Sequence, residues 1–103
     1  FQAVSDFDFH MNKALRLAIL RLLAAAPGYK ANSSVIHTSV NSMGFHVSRD
    51  RVQGQLDWLE EQSLTNGQKM GELVVAEITA RGMDVAEGMA FVTGVDRPAP
   101  MGH

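Results

Sequence analysis

The stretch VSRDRVQGQLDWLEEQSL, residues 47–64, gathers side chains that can read a nucleic acid. A guanidinium can make a bidentate contact to guanine and a carboxamide one to adenine, so Arg49, Arg51 and Gln53 are the candidate base readers. Ser48, at the head of the same segment, and Lys69, further along the chain, complete the set of candidate DNA contacts. Asp50, Asp57, Glu60 and Glu61 oppose them, because a carboxylate near phosphate is unfavourable, although an aspartate can also orient an arginine or accept from cytosine. Gly54 offers no side chain and costs a helix roughly 1 kcal/mol relative to alanine. The competing reading of these residues is a solvated helix face that touches nothing.

Other chemistries find little support. His10, His37, His46 and His103 include no pair at the i, i+4 spacing of a helical metal site, and the chain has no cysteine to supply a thiolate. Asp6, Asp8 and His10 read as a solvated acidic segment, so neither a metal nor a cofactor is expected. No phosphate-binding loop and no glycine-serine-glycine elbow is present, and the chain is not expected to be an enzyme.

These candidates need elements to position them. Leu15, Ala18, Ile19, Leu22 and Leu23 recur at helical spacing and predict a first helix over residues 12–26 that turns them inward, stopped by Pro27-Gly28. Asn32, Ser33 or Ser34 can cap a short second helix, with Val35, Ile36, Val40 and Met43 placed so that several face inward and Gly44 at its end. Ser48 caps a third helix running to about residue 62, whose inner stripe is Val52, Leu56 and Leu59. Turn pairs at Asn66-Gly67 and Met70-Gly71, with the β-prone run Leu73 to Ile78, predict a two-stranded hairpin. Thr79 then caps a last helix ending near residues 88–91. The expected fold is mainly α with a small β-hairpin, in the order α-α-α-β-β-α, which is that of a winged helix-turn-helix.

The sequence has 103 residues, of which 46% are hydrophobic and 19% charged, and this suits one folded domain. That domain is placed at residues 12–90, after an N-terminal extension over 1–11 and before an extended tail over 91–103. The leading Phe1-Gln2 is either native or a tag remnant and is given no functional weight. A net charge of −2 argues against a protein that coats nucleic acid non-specifically and leaves specific binding through a local patch open. The greasiest run, LRLAILRLLAAAP, falls short of the roughly 20 apolar residues of a membrane span, and the acidic start is unlike a secretory signal. A cytoplasmic protein without membrane contact is expected.

The run VSRDRVQGQLDWLEEQSL resembles the recognition-helix pattern of ArsR- and MarR-type winged-helix regulators, and EITARGMDVAEG resembles their wing's exit strand and the opening of their final helix. A closer resemblance, carried by LAILRLLAAAPGY, LDWLEEQSL and ITARGMDVAEG followed by TGVDRP, is to the small winged-helix proteins encoded by Mu-like phages and prophages. It implies a phage or prophage transcriptional regulator that binds double-stranded DNA. Phe9, Trp58, Phe91 and Val95 are expected at a dimer or partner interface, with a homodimer favoured because the resembled families dimerise through terminal helices. Core packing is the other reading of Trp58. A winged-helix protein-interaction module without DNA binding remains the alternative function. A positive patch shared by Arg49, Arg51 and Lys69 would favour the first, and divergence of these residues the second.

Overall fold

A computed structural model describes residues 2–99, with side chains from residue 6 onward. Four helices and three strands follow in the order α1 (Gln2–Ala25), β1 (Lys30–Asn32), α2 (Ser33–Ser42), α3 (Arg49–Glu61), β2 (Thr65–Met70), β3 (Leu73–Ile78) and α4 (Ala80–Ala86). The protein is α+β, with one antiparallel sheet in the order β1-β3-β2.

Helix starts follow their caps. Asn32 accepts a hydrogen bond from the Val35 N–H, Ser48 from the Arg51 N–H and Thr79 from the Gly82 N–H, each satisfying a first-turn donor that has no partner within the helix. The core is built from Leu15, Ile19 and Leu23 of α1, Ile36 and Val40 of α2, and Val52, Leu56 and Leu59 of α3. Ala76 and Ile78 close it from β3, Val85 and Ala86 from α4.

Several boundaries differ from the sequence expectation. Helix α1 starts at Gln2, so the residues assigned to an extension continue the first helix. Strand β1 was not expected; the three residues KAN carry no alternation of their own and become a strand by pairing with β3, Lys30 opposite Glu77 and Asn32 opposite Val75. Asn66-Gly67 is not a turn but lies inside β2, and the chain reverses at Gly71, where φ is 66°. A Cβ on Gly67 would lie 2.9 Å from Glu60 Oε1 and 3.3 Å from Val74, so this glycine lets the strand pass close under the end of α3. Ile36 and Val40 are the α2 residues that face inward, whereas Val35 and Met43 are exposed, and they line one groove with Ala18 and Leu22, which were expected inside and are partly uncovered.

The segment after α4 folds back over the body. Val92 and Val95 are buried, and the Asp96 N–H donates to the Lys13 carbonyl of α1 at 3.2 Å. No helix among the described residues is long and apolar enough to cross a membrane.

Candidate functional site

The first turns of α3 lie beside the β2–β3 hairpin. Arg49, Asp50 and Gln53 line a shallow depression with Ser33 of α2 and Glu72 and Leu73 of the hairpin. Arg49 is exposed, as is Lys69 on β2 opposite Val74, and among the described residues neither takes part in an ion pair. The Ser48 hydroxyl accepts from the Arg51 N–H at 3.1 Å, so its acceptor side serves the cap and its own proton remains to be donated. Gln53 donates through Nε2 to Asp57 Oδ1 at 3.0 Å, one turn away on the same helix.

Arg51 does not join Arg49. Residues two positions apart in an α-helix are separated by about 200° around its axis, so the two guanidiniums leave on different sides. Arg51 Nη2 donates to Asn12 Oδ1 of α1 at 2.8 Å and lies 3.6 Å from Asp8 Oδ1. Arg51 thereby holds α3 to α1, away from the face that Arg49 occupies. Asp50 also has a local role, since a carboxylate in the first turn complements the positive end of the helix.

Beyond Arg51, a polar seam that the sequence did not disclose joins α1, α3 and the tail. Gln55, 8% exposed, accepts from Arg16 Nε at 2.7 Å and donates to Asn12 Oδ1 at 3.3 Å. Arg16 also donates through Nη1 to the Gly94 carbonyl at 3.0 Å, and its guanidinium carbon stands 3.9 Å from the centroid of the Trp58 ring. Burial pushes the Arg16 pKa below its ordinary value, although an arginine remains charged at neutral pH. Arg16 is thus an internal tie and not a solvated surface charge. The sequence signal for this seam is weak, since Gln55 differs from the other polar residues of α3 only in falling one residue before Leu56 on the inward stripe.

The four interface candidates separate. Val95, 1% exposed, is consumed by the chain's own core and presents no surface to a partner. Trp58 is half-buried under Arg16 and Gly94, which is the core-packing reading. Phe9 and Phe91 are exposed, each beneath a cation, with Lys13 Nζ 5.2 Å from the Phe9 centroid and Arg97 5.3 Å from that of Phe91.

The α2–α3 connection was missed as a site of order. Asn41 Oδ1 accepts from the Val47 N–H at 2.7 Å, while its Nδ2 donates to the Val47 and His37 carbonyls at 3.1 and 2.9 Å. His37 Nε2 lies 2.9 Å from the same Val47 carbonyl, and since a carbonyl only accepts, that nitrogen carries the proton. Among the described residues no group of three or more His, Asp or Glu side chains is placed to hold a metal ion.

The geometry defines a small α+β protein whose exposed features are a polar first turn of α3, a hairpin beside it and a long first helix. The sequence is 46% identical over 85 residues to the uncharacterized protein gp26 of Escherichia phage Mu, a match covering 82% of this chain and 88% of that protein. The chain belongs to the family of that phage protein. An uncharacterized protein of Haemophilus influenzae is 43% identical over 67 residues, covering 64% of this chain and 65% of its own length. No protein-family model matches the chain. No solved structure matches it either.

Proposed function

We propose that this is a winged-helix protein that binds duplex DNA through the first turns of α3, with the β2–β3 hairpin as its wing, and that it acts as a homodimeric transcriptional regulator of a phage or prophage. The observation that carries the reading is topological. A short strand between the first two helices pairs with the second strand of the hairpin, giving the order β1-β3-β2, and the hairpin directly follows a helix whose exposed N-terminal turn is polar. In that architecture the third helix enters the major groove and the hairpin flanks it. Arg49 and Gln53 are the base readers, Lys69 contacts phosphate, and Ser48 donates its free proton to the backbone.

Few cations serve this surface, so binding depends on base contacts more than on phosphate charge. With Lys69 as the one phosphate-contacting cation per chain, the slope of log K against log salt should be about −1 per chain, shallow for a DNA-binding protein. The test is selection from a pool of random duplex DNA at two salt concentrations. Arg49→Ala should abolish motif enrichment, whereas Arg51→Ala should lower stability and leave the selected motif unchanged. Absence of enrichment at low salt, with the protein folded, overturns the reading.

A second reading, a winged-helix protein-interaction module, gains from the divergence of Arg49 and Arg51, which leaves no positive patch shared by Arg49, Arg51 and Lys69. Asp57, Glu60 and Glu61 of α3 and Glu72 at the hairpin tip are exposed on elements that Arg51 has left for α1. Such a face suits a basic protein surface, and failure of the DNA selection would leave this reading standing.

A further inference from the structure

We propose that α1 pairs with the α1 of a second copy in an antiparallel, two-fold arrangement, each copy placing its Phe7 in the groove at the far end of the other's helix. The interface has no residue in common with the DNA-contacting set.

Helix α1 has two apolar faces. One, through Leu15, Ile19 and Leu23, enters the core. The other runs through Phe7, Met11, Ala14, Ala18, Leu22 and Ala25, at spacings of four or three, and is exposed or half-exposed along its length. Ala18 and Leu22 carry the periodicity of core residues, and so do Val35 and Met43 of α2, which are 49% and 55% exposed. These four line a single groove of about 850 Å³ between the C-terminal half of α1, β1 and α2. An open groove lined by four such side chains is a natural interaction site.

The occupant is self-supplied. Phe7 is 62% exposed at the start of the same stripe, on a segment where every residue from Asp6 to His10 is exposed. Such a projecting arm makes few contacts of its own, and short helices without a packed face are marginal in water. At 1.5 Å per residue, Phe7 and Ala25 lie about 27 Å apart along one helix, too far to meet within a chain. Between two copies they meet readily, because the stripe is nearly symmetric about position 16. Antiparallel pairing sets Phe7 against Ala25, Met11 against Leu22 and Ala14 against Ala18: a large side chain opposite a small one at the ends, two large ones between, and two small ones at the centre. This is the self-complementarity that a two-fold interface requires. Charge agrees: Asp6 and Asp8 flank Phe7, while Arg21 and Lys30 line the groove that receives it. Asp8 is also 3.6 Å from Arg51 and is 52% exposed, so it keeps a free side toward a partner.

The absence of cysteine makes the test direct. The protein without nucleic acid should sediment as a dimer, and Phe7→Glu should weaken association by about tenfold or more without unfolding the monomer. A chain carrying Phe7→Cys and Ala25→Cys should oxidise to one closed, doubly linked dimer, while Phe7→Cys alone should not cross-link. Monomeric sedimentation of the unmodified protein, efficient cross-linking of Phe7→Cys alone, or a ladder of higher species from the double variant would each overturn the proposal. Because none of these readings involves DNA, its failure and that of the DNA-binding reading are separate results.

Discussion

Glycine carries opposite meanings at two positions of this chain, and both give predictions at the scale of a residue. Gly94 has φ of 102°, and a Cβ there would stand 2.7 Å from Trp58 Cζ2 and 3.2 Å from Arg16 Nη1. Gly94→Ala should therefore cost about 1–3 kcal/mol, from backbone strain together with displacement of the Trp58 ring. Gly54, in mid-helix, would direct a Cβ into open space. Gly54→Ala should stabilise by up to about 1 kcal/mol through helix propensity alone. Urea unfolding followed by circular dichroism would show both, and equal effects at the two sites would contradict this account. Nothing adjacent in sequence distinguishes them, because the ring that occupies the space beside Gly94 comes from position 58. Arg49 and Arg51 misled for a related reason: neighbours along the chain look like one charged patch, and the helix sends them to different sides.

At the scale of elements, what local chemistry decides was legible and what distant pairing decides was not. Ser48 and Thr79 cap the helices they were expected to cap, and Asn32 is the one of its three candidates that caps α2, because a cap is settled within four residues of chain. The hairpin was anticipated from its β-prone second strand, whereas β1 depends on a partner more than forty residues away and left no trace in its own three residues. The candidate site was legible as a segment, α3 and the hairpin, but not as a constellation, since the Arg16, Gln55 and Asn12 seam is assembled across two helices. The α2–α3 turn gives the prediction at this scale. Asn41→Ala removes an acceptor and two donated hydrogen bonds at once, leaving the Val47 N–H without its side-chain partner. The loss should be about 1–3 kcal/mol, with faster hydrogen exchange at the Val47 amide than at amides in the middle of α3. Unchanged exchange at Val47 would show that the turn is held by its helices alone.

At the scale of the whole molecule, the folded body and its uncovered stripe make stability and association one problem. If a second copy covers the groove and supports the projecting arm of α1, the native state binds its own kind and the unfolded chain does not. The midpoint of thermal unfolding should then rise with protein concentration, and Phe7→Glu should remove that dependence. A midpoint that is flat over a hundredfold range of concentration would mark a self-sufficient monomer. The negative net charge belongs to this scale too: it keeps copies apart at long range, and moderate salt relieves that repulsion while it screens the attraction of Asp6 and Asp8 for Arg21 and Lys30 and weakens any contact with phosphate.

Trp58 is the one tryptophan of the chain, and its indole lies under the Arg16 guanidinium and against the backbone of Gly94. The intrinsic emission of the unmodified protein is thus a gauge of whether the segment around Val92 and Val95 is seated. Lifting that segment would let water reach the indole and shift its fluorescence to the red, before the helices themselves melt. An optical signal built into the native sequence can therefore follow events at this end of the molecule without any label.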